Sequence, residues 1–151
     1  MEIIDVDRDY LKPWKKIFSN TKSAVYVAKH RISEEEHVIK KIQIPQLEEV
    51  DDYYTEVLIH ARVIPHPNIV KILGRKLKFK VDEHTGQTEA ELFIVLERMT
   101  RSLKEEIIER AQEQRPYTHQ EINRFGSQIV EGLLHIQSMR AWHRDLKPLN
   151  M

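Results

Sequence analysis

Apolar residues recur along this chain with two different periods, and the period separates predicted strands from predicted helices. Alternating apolar and polar positions predict a long hairpin over residues 70–97. A β-prone arm and a turn rich in Ser and Asn predict a hairpin over residues 16–30. Apolar residues spaced by three and four predict helices over residues 46–64, 102–114 and 119–138. The clearest helical series lies in the last of these helices: Ile122, Phe125, Ile129, Leu133 and Ile136.

Residues at the borders of these segments support the division. Pro65 ends the first predicted helix, because proline lacks the backbone donor that a helix interior needs. Thr118 and Glu121 have the spacing of a capping box and predict the start of the last helix. The chain therefore begins with strands around one helix and ends with two helices.

Composition excludes several classes of function. Lys and Arg together number 24, and so do Asp and Glu, so no overall positive charge suggests nucleic-acid binding. The absence of cysteine excludes disulfides and thiolate chemistry. The acidic N-terminus lacks the basic start of a signal peptide, and no apolar run is long enough to cross a bilayer. We therefore expect a soluble, cytoplasmic protein.

One polar stretch, His143–Asn150, places an acid, a base and an amide side chain next to one another. Its proline predicts a loop after the long helix, and such loops are common positions for catalytic groups. The sequence H-R-D-L-K-P-L-N resembles the catalytic loop of eukaryotic protein kinases, H-R-D-L-K-P-x-N, at every specified position. A chance polar loop is the alternative interpretation.

The resemblance implies a role for three of these side chains. Asp145 would accept or orient the substrate hydroxyl, and Lys147 would neutralise charge on the transferred phosphoryl group. Asn150 would hold Mg²⁺ through its amide oxygen. A lysine at this place in the loop resembles serine/threonine kinases.

Upstream segments extend the resemblance. Residues 36–43 resemble the third kinase strand, V-A-I-K, with Val38 in place of the alanine and Lys40 in the phosphate-pairing position. Glu56 matches the helix glutamate that holds this lysine, and His66–Val70 reads H-P-N-I-V, as in the family. Without the resemblance, Lys40 would be an edge-strand lysine and Glu56 a solvated helix acid.

The first hairpin departs from the family pattern. Val25 fits the end of the nucleotide-covering loop, G-x-G-x-x-G-x-V, but its three glycine positions hold Phe18, Asn20 and Ser23. Glycine allows the backbone to approach phosphate closely. We therefore expect a weaker or differently built phosphate grip, or a plain hairpin with no such role.

The resemblance also places the remaining nucleotide contacts and the domain boundary. Leu96 would be the gatekeeper residue, and the backbone from Glu97 to Met99 would meet the adenine. The implied fold is α+β: a five-stranded antiparallel sheet with one helix in residues 1–99, then the first helices of a large lobe in residues 100–151.

The implied function is phosphorylation of Ser and Thr hydroxyls in protein substrates, with ATP and Mg²⁺ as cofactors. A pseudokinase-like binding or scaffold module is the second hypothesis, and an interaction domain without a nucleotide site is the third. The 151 residues contain no D-F-G sequence, so we expect them to be inactive alone and to bind ATP no better than roughly millimolar. We also expect Lys40 to approach Glu56, and part of the apolar stripe of helix 119–138 to be exposed. The sequence leaves the oligomeric state open.

Overall fold

The computed structural model describes residues 2–81, 83 and 86–151, and its elements follow the predicted order closely. The first compact unit comprises the residues up to Ile64 together with Val70–Arg98, and the second comprises Pro65–Ile69 and Met99–Met151. The strands are β1 (Glu2–Ile3), β2 (Tyr10–Ser19), β3 (Ser23–His30), β4 (Glu36–Ile44), β5 (Ile72–Val81) and β6 (Thr88–Glu97). The helices are α1 (Val6–Asp9), α2 (Val50–Arg62), α3 (Leu103–Gln112) and α4 (His119–Ser138), with single 3-10 turns at Leu47–Glu49 and Pro148–Asn150.

The first unit is built on one sheet with the strand order β1-β5-β6-β4-β3-β2. Strands β2 to β6 pair antiparallel with their neighbours, which confirms the predicted five-stranded antiparallel sheet. The two-residue strand β1 adds a parallel pairing to β5 at one edge. Two residues are too few for a periodic signal, so apolar spacing alone does not define the bounds of this strand.

Each face of the sheet carries its own apolar cluster, because successive side chains of a strand point to opposite faces. The helix α2 contributes Val57 to the first cluster, which contains Ile42, Ile44, Val57, Ile72, Ala90, Leu92 and Ile94. The second cluster contains Val6, Tyr10, Ala28, Ile39, Phe93 and Val95. The strands therefore have two buried faces, one against α2 and one against the N-terminal segment.

The N-terminal segment, residues 2–10, is a packed part of the first unit. Val6 is fully buried and Tyr10 is 3% exposed, so both belong to the core. The side chain of Ile4 lies where a Cβ on Gly74 would be, with only 2.6 Å between that position and Cγ2 of Ile4. A larger residue at position 74 would collide with Ile4, so this glycine is required by close packing.

The second unit contains two helices with complete capping boxes. The Thr118 hydroxyl accepts from the Glu121 amide while the Glu121 carboxylate accepts from the Thr118 amide, as the sequence predicted, and Ser102 and Glu105 form the same arrangement at α3. The guanidinium of Arg110, which is 8% exposed, donates to Glu121 at 2.6 Å. This ion pair joins α3 to the start of α4.

The segment Pro65–Ile69 packs on α4 within this unit. The ring of His66 stacks on His135 with 4.6 Å between centroids, and the Asn68 amide donates to Glu131 at 3.1 Å. Beside these contacts lies Gly132, where an added Cβ would be 3.3 Å from the Asn68 carbonyl oxygen.

The apolar stripe predicted for helix 119–138 is half-buried at four of its five positions and exposed at Ile122. Val130 and Leu134, which lie outside the predicted stripe, are 53% and 58% exposed. None of the helices in the described part of the chain is long and apolar enough to span a membrane.

Candidate functional site

The predicted nucleotide-binding side chains of the first unit share one face of the sheet. Directly opposed residues point to the same side of a sheet. Lys40 is opposed to Val25 on one side and Ile94 on the other, and Val38 is opposed to Leu96. Ile94 belongs to the cluster under α2, so this is the face that α2 covers in part. The register therefore groups a cation with three half-buried apolar side chains.

The neighbouring Lys41 points to the opposite face. Its ammonium lies 2.6 Å from the carboxylate of Glu91, which also accepts from Lys80 at 2.8 Å. Burial acts to raise the pKa of Glu91, but the hydrogen bonds from the two lysines outweigh it and hold the pKa below its usual range. Lys41 is thus engaged in a structural ion pair, and Lys40 is the lysine on the face of α2.

The predicted ion pair between Lys40 and Glu56 does not occur among the described residues. Helix α2 turns Val57 toward the sheet, where it is 4% exposed. Glu56 is one residue away, which is about 100° around the helix, and it is exposed to solvent. The predicted ion pair is therefore wrong for this structure, because the rotation of α2 about its axis directs Val57, and not Glu56, toward the sheet.

Arg75 provides a second cation on the sheet face that α2 covers, and the sequence pattern did not predict it. The guanidinium of Arg75 lies 4.2 Å from the ring centroid of Tyr54 on α2, in the geometry of a cation–π contact. Its Nε and Nη1 atoms are buried with no hydrogen-bond partner in the part of the chain that the structure describes. Alternation along β5 from Ile72 would not have revealed it, because the strand is irregular between Ile72 and Gly74.

The turn between β2 and β3 holds the positions where the family has glycine. The Asn20 side-chain oxygen accepts from the backbone amides of Lys22 at 3.0 Å and Ser23 at 2.7 Å. The Asn20 amide donates to the Ser23 carbonyl at 2.8 Å. Phe18 is opposed to Val25 and therefore lies on the face of Lys40. The turn is closed by its own side chain.

The predicted hinge begins at the end of β6. The Lys71 amide donates to a Glu97 carboxylate oxygen at 2.6 Å, and the Glu97 amide donates to the Lys71 carbonyl at 3.0 Å. Glu97 therefore ties the end of β6 to the segment that precedes β5. The next residues, Arg98 and Met99, are exposed.

In the second unit, the three predicted catalytic side chains meet at one carboxylate. The ammonium of Lys147 lies 2.7 Å from Oδ2 of Asp145. The side-chain nitrogen of Asn150 donates to the same Oδ2 at 3.0 Å and to the Asp145 carbonyl at 2.9 Å. One cation and one amide thus fix the orientation of the acid.

The backbone of the loop explains how residues five apart come together. Arg144 has a φ of 63°, in the left-handed region, and this reverses the chain before Asp145. Pro148 begins a 3-10 turn, in which the Asn150 amide donates to the Lys147 carbonyl at 2.8 Å. The loop end is also attached to α3, because the Leu103 amide donates to the carbonyl of the last residue at 2.8 Å.

The charge state of Asp145 follows from this geometry. The hydrogen bond from Lys147 lowers the pKa of Asp145 from its ordinary value, and the bond from Asn150 acts in the same direction. The carboxylate is exposed and ionised at neutral pH, so it accepts hydrogen bonds and donates none. This is the state that can accept the proton of a hydroxyl group.

The donor set of the loop fits a hard cation such as Mg²⁺. Because the Asn150 nitrogen is engaged with Asp145, its amide oxygen is directed away and keeps its lone pairs. Amide and carboxylate oxygens are the ligands that Mg²⁺ prefers. No group of three His, Cys, Asp or Glu side chains that could hold a metal occurs within residues 2–81, 83 and 86–151. The Asn150 amide oxygen could therefore serve as one ligand of such an ion.

Comparison with known proteins decides the family. A family model described as the protein kinase domain matches residues 14–151. The chain belongs to the protein kinase family. It is 32% identical over 96 residues, 64% of its length, to MAP kinase-activated protein kinase 5 of Mus musculus. It is 28% identical over 131 residues, 87% of its length, to mitogen-activated protein kinase kinase kinase nsy-1 of Caenorhabditis elegans, and 36% identical over 86 residues, 57% of its length, to cyclin-dependent kinase F-3 of Oryza sativa.

The matched regions cover 20%, 8% and 17% of those three relatives. The chain thus spans about a fifth or less of the length of the curated relatives that it matches. These matches establish the family of the domain and leave the activity of a whole protein open.

Proposed function

We propose that this protein kinase chain takes part in transfer of the γ-phosphoryl group of ATP to Ser and Thr hydroxyls of protein substrates. The observation that carries the proposal is the arrangement of Lys147 and Asn150 around the carboxylate of Asp145. Phosphoryl transfer depends on positioning and charge stabilisation more than on covalent chemistry by the protein, and this loop supplies both.

Each side chain of the loop has a separate role in the proposal. Asp145, ionised and oriented, accepts the hydrogen bond of the attacking hydroxyl. The ammonium of Lys147, now paired with Asp145, balances negative charge on the transferred group. Asn150 would hold Mg²⁺ through its amide oxygen, and the ion would supply positive charge toward the phosphates.

The first unit supplies the nucleotide contacts in this proposal. Lys40 provides the cation for the phosphates. Val25, Val38 and Leu96 provide an apolar surface for the adenine, and the backbone from Glu97 to Met99 provides hydrogen bonds to its edge. The division of the chain into residues 1–99 and 100–151 stays a prediction. Glu56 takes no part in the proposal, because it is exposed and forms no ion pair with Lys40 among the described residues. The proposal also places the activity in the cytoplasm.

The test is a transfer assay with labelled ATP, Mg²⁺ and a generic protein substrate. The gene product at its full natural length is assayed beside the 151-residue chain, each as wild type and as Asp145→Asn. We expect the full-length product to label Ser and Thr, identified by phosphoamino-acid analysis. The Asp145→Asn change should lower the rate by about 10²- to 10⁴-fold, the usual contribution of a positioned acid or base.

The alternative function is a binding or scaffold module with weak or no ATP binding. The closed turn at Asn20 favours it, because the backbone amides of Lys22 and Ser23 already donate to the Asn20 oxygen and are not free to bind phosphate. Labelling by the full-length product no greater than that of its Asp145→Asn variant would support this alternative and contradict the proposal. Labelling of Tyr alone would contradict the Ser/Thr assignment.

A further inference from the structure

The turn between β2 and β3 is held by several hydrogen bonds that involve Asn20, Lys22 and Ser23. Besides the two backbone amides of Lys22 and Ser23, the Asn20 oxygen accepts from the Ser23 hydroxyl at 3.2 Å. The Lys22 carbonyl accepts from the Gln43 amide at 2.8 Å, which fixes the turn to β4. Bonds on both sides of the turn therefore resist a change of its backbone.

Backbone amides that converge in a turn form an anion-binding concavity when they have no other partner. In this turn the converging amides of Lys22 and Ser23 already donate to one oxygen of Asn20. That oxygen has the partial negative charge and the hydrogen-bond geometry of a phosphate oxygen. The side chain thus occupies the position that an anion would take.

We propose that Asn20 is an internal substitute for phosphate, which makes this site select the nucleoside part of a nucleotide and bind its phosphates weakly. The inference rests on the proposed nucleotide function of the face with Lys40. It differs from a simple lack of glycine, because it assigns the loss of phosphate affinity to one side chain. Its central expectation is that ATP and adenosine bind the wild-type chain with similar affinity.

The neighbouring side chains agree with this selectivity. Phe18 lies on the same face as Val25 and is 54% exposed, so it adds apolar surface where the family has a glycine. Apolar and aromatic surface favours a base or ribose over a triphosphate. The exposed ammonium of Lys22 attracts phosphate only weakly, because water and salt screen exposed charges.

The proposal predicts the effect of two substitutions in opposite directions. Asn20→Ala removes the competing oxygen and leaves both amides free for phosphate. Two such bonds of about 1 kcal/mol each correspond to roughly 30-fold, so the ratio of ATP to adenosine affinity should rise by about that factor. Asn20→Asp keeps an accepting oxygen and adds negative charge, so the ratio should fall below that of the wild type.

The experiment measures binding of ATP and of adenosine by calorimetry for the wild-type chain and both variants. Asn123→Ala, on the exposed side of α4 in the second unit, is the matched control and should leave the ratio unchanged. Hydrogen exchange of the Lys22 and Ser23 amides, followed by NMR, reports on the turn itself. Both amides should be protected in the wild type and in Asn20→Asp, and should exchange faster in Asn20→Ala.

Two results separate the inference from the function on which it rests. If adenosine binds but Asn20→Ala leaves the ATP to adenosine ratio unchanged, the inference about Asn20 is overturned and the nucleotide site stands. If neither ligand binds any variant although the amides respond as expected, the proposed nucleotide function fails and the inference fails with it. Should Asn20→Ala unfold, Asn20→Asp still decides, because tighter ATP binding by that variant would contradict the proposal.

Discussion

Two asparagines of this protein show opposite uses of the same side chain. In the turn between β2 and β3, Asn20 accepts hydrogen bonds through its oxygen from the amides of its own turn. In the loop of residues 143–150, Asn150 donates through its nitrogen to Asp145 and keeps its oxygen for another ligand. Residue type alone does not decide whether a polar side chain serves a ligand or the fold. What decides it is whether the oxygen or the nitrogen of the side-chain amide already has a hydrogen-bond partner within the protein.

The two regions also differ in how far they follow the family pattern. The loop of residues 143–150 has the family residue at every specified position, and the side chains of Lys147 and Asn150 converge on Asp145. The turn has none of the family glycines and has satisfied its own amides. In the proposed function, the residues that would act on the substrate hydroxyl therefore follow the family pattern, whereas the turn that would bind phosphate departs from it.

Among changes to these two asparagines, the largest expected effect concerns Asn150→Asp. The change removes the donor to Asp145 and puts a second negative charge beside it. The loss of a hydrogen bond to a charged group costs about 1.5–3 kcal/mol, and each 1.4 kcal/mol is tenfold, so phosphoryl transfer should fall by roughly 100-fold. The measurement is the transfer rate of the full-length gene product at saturating ATP.

Asn123→Asp is the control for this change, because it adds the same charge at an exposed position of α4. Its rate should equal that of the wild type. Equal rates for Asn150→Asp and wild type would show that the donated hydrogen bond does not position Asp145 for transfer.

A smaller effect is expected when the turn is altered, and it tests the structural side of the comparison. Asn20→Ala removes the acceptor of two backbone amides in the manner of a lost helix cap, which costs about 1 kcal/mol of unfolding free energy. Asn20→Asp keeps an acceptor and should stay within about 0.5 kcal/mol of the wild type. Urea unfolding of the chain measures both values. A loss as large in Asn20→Asp as in Asn20→Ala would contradict the assignment of the bonds to this oxygen.

The smallest effect concerns the charge state of Asp145. Lys147 lowers the pKa of this carboxyl group, so Lys147→Met should move the pKa upward toward its ordinary value of 3.8. Because both values lie well below neutrality, Asp145 stays ionised at pH 7 in either protein. Carboxyl chemical shifts followed by NMR from pH 7 to pH 2 measure the change, and Lys104→Met on α3 is the control. An unchanged pKa would mean that the two groups do not interact in solution.

Periodic elements were accessible from the sequence because their signal is local. The long hairpin, the helix α2 and the helix α4 were predicted from apolar spacing, and the cap at Thr118 from two residues three apart. The five antiparallel strands followed from the family resemblance. These features depend on residues that are close along the chain.

Features that depend on a distant partner were not accessible in the same way. The pairing of Lys41 with Glu91 depends on the register between β4 and β6. The packing of Val6 depends on a face of the sheet that no local pattern identifies. The missing contact between Lys40 and Glu56 depends on how α2 is rotated about its own axis. Successive side chains of a helix point in directions that differ by about 100°. The spacing of residues along the sequence does not determine the strand register, the buried sheet face or the rotation of the helix.

The membership of Pro65–Ile69 in the second unit has a consequence for any attempt to divide this protein. The polypeptide passes between the two units three times, after Ile64, after Ile69 and after Arg98. A gene fragment that stops at Arg98 would carry His66 and Asn68 without the α4 side chains that they contact. The complementary fragment, which begins at Met99, would lack Asn68, so α4 would be uncovered at Gly132. The two units are therefore not interchangeable modules, and a swap between related kinases would have to exchange the short segment 65–69 together with the C-terminal piece.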